Sequence, residues 1–295
     1  MRLRQWQLAA AILAGFCALS MAGSALAEGP VIYSVNADGS DIHRVVAIDG
    51  YYWLGSPQWS SDGRQIAFNA HPNGARTDKE AHIFRVPASG GVPQDLGLGR
   101  MPYWSRDDKQ IAFFVPIGNP AGVNPGVWIM NADGTERQYL FDGERPCYSP
   151  DGGRIAYVSA GGLYVYDVVD GASKRVPTPG FDSITGAAWS PDGKQLAFVV
   201  NRPDGQEDLA IVDAAGSAPP TVRWTGTLSV QCNWAPGPTI LVGITENNVR
   251  LPHSIDPATK EAPTPLKNQD LGQINNDGSW SPDGKQITFI SDRSE

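Results

Sequence analysis

Ala187–Phe198 reads AAWSPDGKQLAF, and those twelve residues spell a β-hairpin. A strand ending on Trp189 runs into Ser190-Pro191-Asp192-Gly193, where proline presets φ and glycine accepts positive φ without a steric penalty. The chain then returns through Gln195–Phe198. The same pattern stands at PQWSSDGRQIAF (Pro57–Phe68), PYWSRDDKQIAF (Pro102–Phe113), PCYSPDGGRIAY (Pro146–Tyr157), CNWAPGPTILVG (Cys232–Gly243) and GSWSPDGKQITF (Gly278–Phe289). Its anchor aromatics are Trp59, Trp104, Tyr148, Trp189, Trp234 and Trp280, spaced by 45, 44, 41, 45 and 46 residues. That interval is the length of one propeller blade. A blade cannot bury both of its faces alone, so successive blades must stack in a ring about an axial channel. The fold class read from the repeats is all-β, a six-bladed β-propeller of four-stranded blades.

The remainder of each repeat supplies two further strands. Apolar third strands are expected at Ile83–Val86, Val127–Met130, Leu163–Tyr166 and Leu209–Val212, with a poor match around His253–Ile255. Second turns follow at Asn131–Thr135 and Asp213–Ser217, each leading to a more polar fourth strand. Asp108 replaces the turn glycine of the second copy, and aspartate tolerates the left-handed region. The fifth copy, Trp234-Ala-Pro-Gly-Pro, lacks the aspartate, so blade five is expected to be the least regular. The sixth copy has only its first hairpin before the sequence ends. Val31–Ser40 aligns with the third-strand segment Val127–Thr135, so the N-terminal strands are expected to complete the last blade and close the ring, hiding its edges.

Within this pattern the anchor aromatics read as packing between neighbouring sheets, and the Asp-Gly carboxylates as turn chemistry rather than acid–base catalysts. The first residues read as a secretory signal: Arg2 and Arg4, an apolar run over Leu8–Leu19, and Ala25-Leu26-Ala27 as a cleavage site. The domain reading is therefore a signal peptide at 1–27 and the propeller at 28–295, with the product periplasmic or secreted. The apolar run is too short for a membrane span. Cys17 follows Phe16, unlike the small residues of a lipoprotein cleavage box. Cys147 and Cys232 fall in blades that are not neighbours, so free, buried thiols are expected rather than a disulfide. The chain carries 23 basic and 31 acidic residues, a net charge of −8; loss of Arg2 and Arg4 makes it −10. Nucleic acid and anionic membrane surfaces are poor partners for such a molecule.

The strings WSPDGKQLAF, WSPDGKQITFISDR and IYSVNADGS resemble the repeats of the TolB-like propeller family over essentially all of residues 28–295. The resemblance implies the fold closely and the activity much less, because similar repeats serve as scaffold domains in peptidases and polysaccharide lyases. In the family the propeller binds a peptidoglycan-associated lipoprotein, so the resemblance implies protein binding in the cell envelope. TolB itself carries an α/β domain before its propeller. Here the first propeller strand begins within a few residues of Glu28, so a propeller-only relative is expected.

No Gly-x-Ser-x-Gly elbow, His-Glu-x-x-His helix or Cys/His metal spacing occurs. His43, His82 and His253 read as surface or packing residues. His71 lies in the loop Asn69–Ala81 with Arg76, Asp78 and Glu80, the best-equipped loop for chemistry. The short Asp-Gly turns occupy one end of the ring, and the variable connections occupy the other, where binding on a rigid scaffold usually resides. Tyr51, Tyr52 and Trp53 form the most suggestive aromatic cluster there, with Arg76, Arg100 and Arg145 as companions. The same aromatics have a second reading, as filler between blades. The expected binding residues are Tyr51, Tyr52, Trp53, His71, Arg76, Arg100, Arg145, Phe181 and Asp182. The reading is a monomeric, non-catalytic binding module for an envelope protein or peptide, without cofactor or metal. The alternative is a lyase or hydrolase of polysaccharide or peptide with its site at the channel mouth.

Overall fold

The computed structural model of the chain describes residues 30–75, 77–246, 249–259, 261–267 and 275–292. Among them are six four-stranded antiparallel sheets. Blade one comprises Tyr51–Trp59, Gln65–Pro72, His82–Pro87 and Gln94–Leu98, and blade two Arg100–Trp104, Gln110–Val115, Gly126–Asn131 and Gln138–Phe141. Blade three comprises Glu144–Tyr148, Arg154–Ser159, Gly162–Asp167 and Ser173–Arg175, and blade four Ile184–Trp189, Gln195–Asn201, Glu207–Asp213 and Thr221–Gly226. Blade five is Leu228–Trp234, Ile240–Glu246, Val249–Ile255 and Thr264–Pro265. Its third strand is longer than its sequence promised, paired from Val249 to Ile255 against Ile240–Glu246. The irregularity falls instead on its two-residue fourth strand.

Blade six is assembled from both ends of the described chain. Asn275–Trp280 and Gln286–Ser291 are continued by Val31–Asn36 and then His43–Val46. Val31 pairs with Ser291 and Asn36 with Gln286, in an unbroken antiparallel register. The ring is thereby closed by hydrogen bonds between residues about 260 apart in sequence, as the repeat pattern requires.

Apolar side chains on both faces of each sheet are buried against the next sheet. The buried residues fall into clusters that each span one blade–blade interface, and each cluster holds an anchor aromatic. Trp104 packs with Ala67 and Ile83 of blade one, Tyr148 with Ala112 of blade two, and Trp189 with Ala156 and Val158 of blade three. Trp234 packs with Ala197 and Leu209 of blade four, Trp280 with Leu241 of blade five, and Trp59 with Ile32 and Ile290 of blade six. Two of the indoles also donate across the interface, Trp104 Nε1 to Gln58 O at 3.2 Å and Trp189 Nε1 to Cys147 O at 3.1 Å.

The repeated turn has a specific chemistry. Ser60 Oγ donates to Asp62 Oδ1 at 2.7 Å while accepting from Gln65 N at 2.9 Å. The same pair of bonds recurs at Ser105, Ser149, Ser190 and Ser281. The serine hydroxyl bonds hold Asp62, Asp107, Asp151, Asp192 and Asp283 below the usual carboxylate range. These carboxylates are consumed by the turns, as their position in the motif implied.

The second copy departs from the motif for a structural reason. Asp108 adopts φ 58°, and its carboxylate accepts from Ser61 N at 2.6 Å and Asp62 N at 2.9 Å in blade one. Ser61 occupies the place that proline takes in four other copies, and proline has no N–H to give. The absence of proline in one blade and of glycine in the next is therefore one paired exchange that ties two turns together.

Two outcomes follow for stability. Replacing Asp108 with glycine restores the motif yet should destabilise the protein by about 1 kcal/mol in urea unfolding. Loss of two charge-assisted bonds outweighs relief of the left-handed backbone; a variant as stable as the parent would refute the pairing. Trp189→Ala, which removes a 4%-exposed indole stacked beneath the Arg154 guanidinium at 4.6 Å, should cost about 3–5 kcal/mol. A loss under about 1 kcal/mol would show that the interface does not depend on its aromatic.

Candidate functional site

Each innermost strand breaks register just before its anchor aromatic. The ladder slips between Gly55 and Gln58, Arg100 and Tyr103, Glu144 and Cys147, Ile184 and Gly186, Leu228 and Cys232, and Asn276 and Ser279. The residue three places before each anchor is Ser56, Met101, Arg145, Gly186, Gln231 or Asp277. Four of these are non-glycine residues at positive φ: Ser56 at 53°, Met101 at 50°, Arg145 at 57° and Asp277 at 40°. Bulges of this kind re-aim side chains next to functional sites. Here they lie at the end of the channel opposite the Asp-Gly turns, and a cavity of about 40 Å³ sits just inside, lined by Ser56, Met101, Arg145 and Gly186 among others.

Charged groups converge on this mouth. Arg100 ion-pairs with Asp78, from the short 3-10 turn Asp78–Glu80 of the preceding blade, and its guanidinium lies 5.5 Å from the Phe114 ring. Gly99, just before it, packs so closely that an added Cβ would come within 2.6 Å of Phe113 and 2.7 Å of Ile83. Arg145 is half-buried, and burial depresses its guanidinium, with the charges of Glu144, Arg100, Asp277 and Asp78 acting on it. Asp277 accepts from Ser56 N at 3.3 Å across the closing seam. Burial raises its carboxyl, against the opposing pull of Arg250, Arg145 and Arg100. Arg145 Nη1 and Arg100 Nε are enclosed with no hydrogen-bond partner among the described residues.

His71 anchors one side of the mouth. It is 4% exposed, lies opposite Trp53 in the ladder, and meets Asn69 Nδ2 through Nε2 at 3.4 Å. Asn69 Oδ1 in turn accepts from Met101 N of the next blade at 3.1 Å. Desolvation, aided by Arg100, pushes His71 from 6.5 to about 4, with Asp78 opposing. The imidazole is therefore neutral near pH 7 and serves as a packing and hydrogen-bonding group.

The residues singled out from sequence divide three ways. Tyr52 and Trp53 are exposed at 48% and 39%, with the Tyr52 ring edge-on to His71 at 6.0 Å; with His71, Arg100 and Arg145 they surround the mouth. Tyr51 instead turns into the blade, edge-on to Phe84 at 5.2 Å, and Phe181 packs edge-on to Phe198 at 5.6 Å beside an exposed Asp182. Arg76 lies outside the described residues. Sequence reading passed over Asn69, Ser56 and Asp277 as individual site residues. For Ser56 and Asp277 the available signal was their common position three residues before an anchor aromatic.

Cys147 and Cys232 are free and buried, and burial raises both thiols, that of Cys232 to about 12. His82 pairs with Asp95 at 2.9 Å, while His43 and His253 donate to or face the carbonyls of Asp41 and Leu251. Among the described residues no group of three or more His, Cys, Asp or Glu side chains stands together in a way that could hold a metal ion, and no helix is long and apolar enough to cross a membrane. The larger concavity, about 400 Å³, opens at the Asp-Gly end and is walled by the six anchor aromatics.

No family model matches the chain. It is 40% identical to the Tol-Pal system protein TolB of Alcanivorax borkumensis over 63 residues, 19% of this chain and 14% of that protein. It is 37% identical to dipeptidyl-peptidase 5 of Porphyromonas endodontalis over 106 residues, 33% of this chain and 15% of that protein. The chain thus spans about one seventh of the length of these curated relatives. Among solved structures it superposes on a putative TolB from Agrobacterium tumefaciens with TM-score 0.70 at 18% identity, covering 89% of this chain and 97% of that one. For TolB from Acinetobacter baumannii the TM-score is 0.62 at 18% identity, with 90% and 65% covered. The fold is that of the TolB-like six-bladed propellers.

The His71 environment sets a pH dependence. The unfolded chain binds the proton near pH 6.5 and the native state only near 4. The stability it contributes is complete above about 6.5 and is lost as pH falls toward 4, by up to about 3 kcal/mol. Asp277, raised in the native state, acts with the opposite sign, so the comparison must be made against a variant. His71→Asn should flatten the dependence of the urea midpoint between pH 6.5 and 4; an unchanged slope would show that His71 takes up its proton in the native state.

Proposed function

We propose that this TolB-like propeller is an exported, non-catalytic module that binds a protein or peptide of the cell envelope at the end of the channel opposite the Asp-Gly turns. The observation that carries this reading is the pairing, on a rigid ring, of two exposed aromatics, Tyr52 and Trp53, with a mouth of strained, oriented charged residues. Exposed aromatics beside arginine are the usual anchors of protein interfaces. His71 is neutral near pH 7, and the turn carboxylates at the other end are occupied by serine and backbone N–H groups. The resemblance of repeats and fold to TolB supports an envelope location and a protein partner, and the apolar run before residue 28 supports export. The short match to a dipeptidyl-peptidase is compatible with a shared propeller scaffold.

A Tyr52→Ala, Arg100→Ala double variant tests the choice of face. It should keep a cooperative unfolding transition and lose capture of partners from an envelope extract by at least about 10-fold, as for paired interface anchors. Undiminished capture by a folded double variant would sink the proposal.

A further inference from the structure

The charge pattern at the mouth identifies what the bound partner must present. Three arginines, Arg100, Arg145 and Arg250, stand with three carboxylates, Asp78, Glu144 and Asp277, around the mouth: Arg145 feels Glu144, Arg100, Asp277 and Asp78, and Asp277 feels all three arginines. Asp78 is engaged by Arg100, and Asp277 by the Ser56 N–H of the closing seam. Arg250 is held by Thr245, with Nε donating at 3.0 Å. Arg145 makes no ion pair among the described residues, and its Nη1 is enclosed without a partner, as is Arg100 Nε beside it. An enclosed guanidinium N–H in this state is a donor that lacks an acceptor. Its position is not adventitious, because φ 57° at Arg145 and the ladder slip between Glu144 and Cys147 aim the residue into the channel. The cavity it lines, about 40 Å³, suits a group of a few heavy atoms and is too small for a sugar ring or a base. The planar two-oxygen group that matches a guanidinium fork is a carboxylate.

We propose that the channel mouth is a carboxylate socket in which Arg145, flanked by Arg100, receives an acidic side chain or a C-terminal carboxylate from the bound peptide or protein. The inference rests on the binding face described above and specifies its chemistry.

The test uses random dodecapeptides selected on the immobilised full chain, followed by anisotropy titrations of synthetic copies. Each selected peptide is compared with versions carrying Glu→Gln or Asp→Asn, and with its C-terminal amide, which separates the two sources of the carboxylate. One of these neutralisations should weaken binding to the parent protein about 10-fold or more. The same change should matter less than about 2-fold to Arg145→Gln, while Arg145→Lys retains part of the discrimination. Because the decisive change is made in the peptide, the result stands even if an Arg145 variant folds poorly. Peptides that lose binding on Tyr52→Ala but ignore every neutralisation would overturn the socket and leave the face intact. A selection yielding no peptide sensitive to Tyr52→Ala or Arg145→Gln would overturn both.

Discussion

A sheet with apolar side chains on both faces is not soluble until both faces are covered, and in this chain each face is covered by the next blade. This requirement makes the six interface clusters interdependent: no blade is satisfied until its neighbours are in place, and the first is not satisfied until the last has closed on it. The seam therefore has the same packing as every other interface. Trp59 sits on Ile32 and Ile290 as Trp104 sits on Ala67 and Ile83. Hydrogen bonds from Val31–Ser291 to Asn36–Gln286 then fix the register of closure. Without that closure two sheet edges and two apolar faces would be open to water.

Closure also dictates the shape of the channel mouth. Six innermost strands crowd around one axis, and each slips its ladder before the anchor aromatic. In four of the blades the slip is accompanied by a non-glycine residue with a left-handed backbone. Strain of this kind persists only where the surroundings over-determine it. Here the Asn69 bond to the Met101 N–H and the Asp277 bond to the Ser56 N–H, each crossing a blade boundary, supply that constraint.

Repetition made the fold legible in the sequence, and the lack of repetition hid the site. The Ser-Pro-Asp-Gly turn is a local device, readable from four adjacent residues, so the hairpins, the closing strands and the structural role of the aspartates could all be read directly. Ser61 and Asp108 each looked like a tolerated deviation, because the bonds that join them run between turns 47 residues apart. At the mouth, Arg145 and Asp277 belong to different blades, and neither resembles a motif. Their meeting follows from a ladder slip and a positive φ that no propensity marks. Tyr51 shows the converse. It reads as one of three adjacent aromatics, but the ladder slips between Tyr51 and Trp53, so Tyr51 packs on Phe84 while both Tyr52 and Trp53 remain exposed.

The two ends of the channel differ most in how their polar groups are accounted for. At the Asp-Gly end every motif carboxylate has a serine hydroxyl, and most have a basic neighbour two or three residues on, such as Lys109 at 3.5 Å from Asp107 and Lys285 at 3.7 Å from Asp283. These serine and basic partners lie within the same blade, which is why the turn can be repeated, with Asp108 as a carboxylate that reaches across to the preceding blade. At the other end the charges are distributed over blades one, two, three, five and six, and no blade is self-sufficient. Arg145 carries an enclosed Nη1 without a hydrogen-bond partner among the described residues, and such a group opposes the native state. Local rules are obeyed at one end and broken at the other on the same scaffold. The broken end is where stability has yielded to another requirement.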